Sequence, residues 1–467
     1  MLDRFGLSPV LLKKVIQSAM SRGGDFADVF CEYSQFSSLA LEEGILKSAV
    51  TNLEKGVGIR VVKGEKTGYA YTERFNEAQF LRAAKTAAAI ADDRGSDKSF
   101  EMEQVQVANH YPVQHPAANA ALDEKIKWVY LADKLARDAS SEVVRVSVTL
   151  ADSLRNLVMA DSEGRLVEDT QPMLRFGVSV IAERNGQRQE GRSGDGGRIG
   201  LSFLSEEKVQ DMVARAVHEA LTLLDARPAP AGMLPVILAP GDSGILLHEA
   251  IGHPLEADFN RKKTSAYSER MGEMVASAQC TICDDGTVDH DRGAINVDDE
   301  LNRSERTVLI EEGRLVSYMY DELSARYFKR ASTGNGRRES YRYQPIPRMR
   351  TTYMLPGTFS PDELIASTEK GIYCKTFKGG QVDISNGNFI FVPSEAYLIE
   401  DGKLSYPIKN LSLIGNGPDV LSKVSMVADD FRLSAGIWTC GKGQSVPVGV
   451  GLPTVKISEM TVGGQSE

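Results

Sequence analysis

Residues 242–259 run Asp242-Ser-Gly-Ile-Leu-Leu-His-Glu-Ala-Ile-Gly-His-Pro-Leu-Glu-Ala-Asp-Phe259 and contain His248-Glu249-x-x-x-His253. The chain has six histidines, and two of them flank a glutamate here. Neutral imidazole is the commonest protein ligand for zinc, and a carboxylate beside such an ion is a ready general base. The pattern is that of His-Glu-x-x-His with one residue added. The addition matters, because positions four apart on an α-helix share a face while positions five apart diverge by about 140°. An unbroken α-helix would keep the two rings from a common ion. The local sequence predicts a way round this. Asp242 or Ser243 caps a helix start, and Ile245, Leu246, Leu247 and Ile251 bury the helix. Gly252 takes the left-handed conformation that ends helices, and Pro254 blocks continuation. His253 is then expected just past the end, folded back toward His248. The plainer reading is a buried helix with two hydrogen-bonded core histidines. The glutamate, the helix stop between the histidines and the apolar run together favour a metal site.

Upstream of this stretch, residues 234–239 read as a strand feeding the helix, and Arg227-Pro-Ala-Pro-Ala-Gly232 reads as a linker. The linker divides the 467 residues into two domains, 1–227 and 233–467, a division the length allows. In the first, Ser8-Pro9 opens a helix that Gly23-Gly24 ends. Strands are expected at 27–33, 37–41, 57–62 and 68–72, with Gly64 in a turn between the last two. A helix over 76–91, a polar loop over 92–119 and a helix over 122–139 follow. Strands resume at 143–150, 155–160 and 173–182, and Asn185-Gly186 signals a hairpin. A helix over 205–224 sets Val209, Met212, Val213, Ala216, Val217 and Ala220 on one face. In the second domain, residues 261–277 are polar and charged and read as a mobile excursion. From Val297 onward, short strands with Asn/Asp/Gly turns dominate, with helices near 321–328 and 361–368. The expected fold class is α+β: an N-terminal α/β domain with a mixed sheet and flanking helices, then a sheet-rich C-terminal domain carrying the metal-site helix.

Apolar residues make up 42% of the chain and charged residues 25%, as in soluble globular proteins. The formal net charge of −10 argues against nucleic acid as a partner, since a duplex-binding surface would be an exception to that field. No apolar run reaches the ~20 residues that span a bilayer, so no membrane partner is expected. Asp3 and Arg4 interrupt any signal peptide at Met1. Five cysteines, odd in number and widely spread, suggest no disulfide framework, and a reducing cytoplasm is the expected location.

A hydrolytic zinc site needs three protein ligands and one open position. Glu256, Asp258 and the distant Cys440, in Trp438-Thr-Cys-Gly-Lys-Gly443, are candidates for the third, and residue types alone leave the choice open. Cys280-Thr-Ile-Cys283 has no matching second pair and reads as core strand positions. Gly241-Asp-Ser-Gly244 lacks the partners of a serine nucleophile. Gly436 to Gly443 falls short of a phosphate loop, because Gly443 stands where a hydroxyl should hold magnesium. Arg337, Arg338, Arg342, Arg348 and Arg350 cluster beside Tyr341 and Tyr343. Arg337, Arg338 and Tyr341 are candidates for binding substrate carboxylates. An ion-pair network or a subunit interface explains the cluster equally well, and nucleic acid ranks last.

The segment 247–258 closely resembles the metal motif of the TldD/PmbA family of metallopeptidases. Asp284-Asp-Gly-Thr287, Asn296-Val-Asp-Asp-Glu300, Thr333-Gly-Asn-Gly-Arg-Arg-Glu-Ser340, Met349-Arg-Thr-Thr-Tyr-Met-Leu-Pro-Gly357 and Ser434-Ala-Gly-Ile-Trp-Thr-Cys-Gly-Lys-Gly443 resemble its catalytic, TldD-type branch. The likeness spans nearly the whole chain and is sharpest over 241–450. Cys440 stands where the family's ligand cysteine stands. The resemblance implies a zinc-dependent peptidase with one Zn2+ per catalytic subunit, held by His248, His253 and Cys440, with Glu249 as general base. It implies short or unfolded peptides as substrates. It also implies a homodimer, or a heterodimer with a related non-catalytic subunit. The competing class is a non-enzymatic modulator or partner subunit whose metal is structural or absent. Glu249 argues against it, since a structural site has no use for a base.

Overall fold

The computed structural model describes residues 1–91 and 100–464. The first half is built on one seven-stranded sheet. Its path runs Lys66–Thr72, Ile45–Lys63, Phe26–Glu42, Val143–Asp161, Arg165–Arg184, with Gln187–Gly197 and the short Glu103–Gln104 both on the last of these. All pairings are antiparallel except that of Glu103–Gln104. Residues 92–99 of the expected polar loop lie outside the described residues.

Strand periodicity decides which face is covered. Ala27, Val29, Cys31, Leu39 and Leu41 occupy alternate positions, as do Val146, Val148, Leu150, Val158 and Ala160 on the neighbouring strand, and all are buried. They therefore point to one side. Helices Pro9–Met20 and Glu77–Ala88 pack over one end of that side, and Leu122–Ala139 and Glu206–Asp225 over the other. Phe30, Leu157 and Met159 point to the opposite side and pack on Val297, Leu301 and Tyr341 of the second half.

The strands are longer than the hydrophobic runs predict. The expected strands at 27–33 and 37–41 are one strand, Phe26–Glu42, and the register against Val143–Asp161 runs unbroken through Gln35 and Ser37. Polar side chains do not end the strand because they are satisfied across it. The Ser37 hydroxyl donates to Asp152 at 2.6 Å, and buried Lys125 reaches the same carboxylate at 2.7 Å. The expected hairpin at Asn185-Gly186 is present, with φ of 52° and 78°, the positive pair a type I′ turn needs.

In the second half, strands Lys370–Val382, Gly232–Leu238, Val455–Gly464, Leu411–Asn416 and Asn388–Glu400 pair in that order, and the first also pairs with the last. These five close into a ring. A six-stranded sheet lies beside it, with Ile282–Asp285, Thr351–Met354 and Gly449–Leu452 at its centre. The class is α+β. Two expectations for this half change. Arg227–Pro228, read as linker, adds an edge strand beside Ile408-Lys409, a position where proline is tolerated. Residues 261–277 are irregular but anchored. Tyr267 is fully buried, its hydroxyl donates to the Ala250 carbonyl at 3.3 Å, and its own carbonyl accepts from Tyr318 at 2.8 Å.

Candidate metal centre

The strand Gly232–Leu238 delivers the chain to the motif, and the motif is not an ordinary helix. A 3₁₀ turn over Asp242–Gly244 and one α-turn over Ile245–Leu247 lead into a π-helical turn over His248–Gly252. The His253 N–H donates to the His248 carbonyl, five residues back. The wider turn removes most of the 140° divergence that an α-helix would impose. The two rings come together with centroids 5.0 Å apart.

The expected helix stop is thus corrected. Gly252 is right-handed, at φ −56° and ψ −64°. Its reason to be glycine is packing, because a Cβ there would lie 1.9 Å from the Met349 sulfur. Pro254 does not turn the chain back. It begins a 3₁₀ turn over His253–Leu255, and the Ala250 carbonyl that its missing N–H leaves free takes the Tyr267 hydroxyl. Neither Asp242 nor Ser243 caps the helix. Asp242 instead accepts from the Trp438 indole N–H at 3.1 Å, tying the motif to the residue that precedes the strand of Cys440.

Strands Thr439–Gly441 and Ser445–Pro447 form a two-stranded hairpin that presents Cys440. Its Sγ lies 3.2 Å from His253 Nε2. One ligand atom each from His248, His253 and Cys440 lie within 4.8 Å of one another, and all three residues are buried. A tetrahedral zinc ion, with bonds of about 2.0 Å to nitrogen and 2.3 Å to sulfur, needs its donors roughly 3.5 Å apart. Buried His248 Nδ1 has no hydrogen-bond partner among the described residues. Two imidazoles and a thiolate are a donor set that suits zinc.

Cys440 and His253 stabilise each other's charged forms. Burial pushes the Cys440 thiol up, but His248 and then His253 outweigh it and bring it down to about 4. Burial would lower His253, yet Glu256 and the Cys440 sulfur hold it well above the usual imidazole value. Cys440 is therefore a thiolate at neutral pH, the form that binds metal. Burial raises the half-buried Glu249 carboxyl, opposed by the two histidines.

Glu256 and Asp258, the other candidates for third ligand, fall outside this group. Glu256 is fully buried and accepts from His253 Nδ1 at 3.0 Å, which directs Nε2 toward Cys440. Burial raises Glu256, while Lys442 and then His253 pull it down to about 2. Lys442 Nζ lies 3.1 Å from Glu256 and 2.7 Å from Asp258. Arg348 donates to the Cys440 carbonyl at 2.8 Å and to the Gln444 carbonyl at 2.7 Å, fixing the hairpin. Sequence reasoning missed the supporting roles of Lys442 and Arg348. The one available signal was a buried-type carboxylate three residues after His253, which needs a cation.

The three residues considered for substrate binding lie outside the group of His248, His253 and Cys440. Arg338 pairs with Asp28 at 3.1 Å and donates to the Asp299 carbonyl. The Tyr341 N–H donates to Glu32 and its hydroxyl to Glu73, each at 2.9 Å. Both residues join the two halves of the chain, together with Arg60, which bridges Asp28 and Glu300. Arg337 donates to the carbonyls of Met349 and Pro447.

Family models for PmbA/TldA metallopeptidase domain 1, central domain and C-terminal domain match residues 27–91, 115–224 and 231–464. The chain belongs to the PmbA/TldD metallopeptidase family. It is 44% identical to a protein named metalloprotease TldD homolog from Haemophilus influenzae, over 98% of this chain and 97% of that one. It is 28% identical to a protein named zinc metalloprotease TldD homolog from Saccharolobus solfataricus, over 97% of this chain and 99% of that one. The solved structure of TldE from Thermococcus kodakarensis superposes with a TM-score of 0.77 at 19% identity, over 97% of this chain and 100% of that one. That likeness concerns the fold. This TldD-type family member is a metallopeptidase, an enzyme acting on peptide bonds. Among the described residues no helix is long and apolar enough to cross a membrane.

Proposed function

We propose that the chain is a zinc-dependent peptidase of short or unfolded peptides, with His248, His253 and Cys440 as ligands of one ion and Glu249 as general base. Its two domains on this reading are 1–227 and 233–467. The observation that carries the reading is the meeting of the three donor atoms from residues 248, 253 and 440 within 4.8 Å. A bound zinc ion supplies Lewis acidity toward a peptide carbonyl.

The chain's own residues do the rest. Glu249 takes a proton from the attacking water and returns it to the leaving amine. Burial moves its pKa upward, the direction that strengthens a carboxylate as a base. Glu256 holds the Nδ1 proton of His253 and so aims Nε2 toward Cys440 and the ion's place between them. A thiolate ligand donates more charge than a third imidazole would, so the ion is a weaker Lewis acid and the reaction leans more on Glu249. An extended peptide laid along a sheet edge presents its scissile bond without needing a folded partner. We place the enzyme in the cytoplasm as a dimer, with itself or with a related subunit lacking the metal motif.

The deciding experiment measures zinc content and peptide turnover in wild type and Glu249→Gln. Retained zinc with turnover reduced at least a hundredfold is expected. Undiminished turnover in the variant rejects Glu249 as the base. A wild type that hydrolyses no peptide when zinc-loaded favours the modulator reading.

A further inference from the structure

A cavity of about 180 Å³ borders the hairpin that presents Cys440, with Thr439, Ser445 and Pro447 among its lining. Five arginines drawn from both halves of the chain also line it: Arg338, which pairs with Asp28, and Arg155, Arg198, Arg292 and Arg337. Of the last four, three are nine-tenths or more buried, at 2% exposure for Arg198, 8% for Arg292 and 4% for Arg337.

These three guanidinium groups lack the carboxylate partners that buried cations normally have, although Arg198 lies over the Tyr111 ring at 5.2 Å. Arg198 donates to the Ala294 carbonyl at 2.9 Å. Arg292 donates to the Trp438 carbonyl at 2.7 Å and the Thr439 hydroxyl at 3.2 Å. Arg337 donates to the carbonyls of Met349 and Pro447. Among the described residues no carboxylate forms an ion pair with any of the three. Arg155 has one, Glu32 at 2.8 Å. Arg292 Nη1 and Arg155 Nη2 are buried with no hydrogen-bond partner among the described residues. Burial, and then neighbouring arginines, bring Arg292 down to about 10 and Arg337 to about 9.

The acids in the wall do not relieve this. Asp298 accepts from the N–H groups of Glu300, Asn302 and Gly336. Asp299 accepts from the Arg338 N–H at 2.7 Å, and Glu339 from the Ser445 N–H. Each is committed to backbone amides. Buried charges are ordinarily paired, and unmet buried donors are costly. A guanidinium fork matches the two oxygens of a carboxylate.

We propose that this cavity is an oxyanion site that takes a carboxylate, such as the free C-terminus of a peptide, beside the Cys440 hairpin. Arg198, Arg292 and Arg337 supply the charge. The volume admits one residue-sized group and excludes a folded chain. The proposal rests on the peptidase activity and is independent of which residues hold the metal.

The test measures binding to the full-length protein by calorimetry, using N-acetylglycine, N-acetylglycinamide and inorganic phosphate. The acid is expected to bind at least tenfold more tightly than the amide. Arg292→Gln and Arg337→Gln are expected to remove that preference while leaving zinc content unchanged. Competition by phosphate against the acid supports a shared oxyanion site. Phosphate binding without acid binding overturns the carboxylate assignment. Equal binding of acid and amide by wild type overturns the proposal without recourse to any variant, as does an intact preference in both variants. Zinc content and turnover of Glu249→Gln bear on the metal site alone, so the two readings fail separately.

Discussion

Replacing Glu256 by glutamine tests whether His253 is a ligand held in place from behind. The carboxylate is fully buried, 3.0 Å from His253 Nδ1 and 3.1 Å from Lys442 Nζ, with Arg348 Nε at 3.7 Å. Its pKa of about 2 lies below the ordinary 4.5. A depressed carboxylate stabilises the fold above its unfolded value, and that contribution is lost as pH falls toward 2. At neutral pH the shift corresponds to about 3 kcal/mol. Glutamine keeps the shape and one acceptor but turns an amide toward Lys442. Lys442 retains Asp258 at 2.7 Å, and Arg348, no nearer than 3.7 Å to this carboxylate, keeps its two carbonyl hydrogen bonds. The cost to the apoprotein should therefore stay at or below about 3 kcal/mol, short of what an orphaned buried charge causes. Losing the carboxylate behind a ligating histidine typically weakens metal binding 10–100-fold, or about 1.4–2.8 kcal/mol. Competition against a chromophoric chelator measures the zinc affinity, and urea unfolding of the apoprotein at pH 7 measures the stability. A Glu256→Gln protein that binds zinc within twofold of wild type, while Cys440→Ser does not, refutes the role given to this carboxylate.

Gly252→Ala places a methyl group against the Met349 sulfur and should cost about 1–3 kcal/mol, with weaker zinc binding; Met349→Ala in the same chain should recover much of the loss, as read by Tm and zinc titration. Iodoacetamide at pH 6 should label Cys440 of the apoprotein first, since its thiol is held near 4 while burial raises Cys280 to about 12 and also raises Cys31, Cys283 and Cys374. Zinc should block that labelling, and mass spectrometry of the digested protein scores both. Burial, opposed by Arg165, lifts the Asp161 carboxyl to about 6. The stability it contributes is full below its unfolded value near 3.8 and is lost as pH rises through 6. Wild type should gain about 1–3 kcal/mol over Asp161→Asn between pH 7.5 and 5, and urea unfolding at the two values checks the sign.

Much of this molecule is legible along the chain, because local signals fix local structure. Alternation marks which residues of the N-terminal strands are buried, Asn185-Gly186 fixes a hairpin, and Ser8-Pro9 opens a helix. His248 and His253 declare themselves by residue type and by the glutamate beside them. Strand length was not legible, since Ser34-Gln35-Phe36 looks like an interruption until the Ala118 carbonyl arrives from a distant segment to accept from Gln35 at 2.9 Å. The turn that brings the two rings together was not legible either. A π-helical turn has no separate residue signature, and Gly252 suggests a helix end when what it accommodates is Met349, about a hundred residues away. Whether Glu256 is a ligand or a ligand's support, and whether an arginine faces a carboxylate or a cavity, depends on which side chains arrive opposite. Sequence by itself determined most of the order of helices and strands, the family and the chemical inventory of the candidate site. Only the tertiary structure decided how that inventory is shared out, because distance and burial between remote segments are properties of the packed chain.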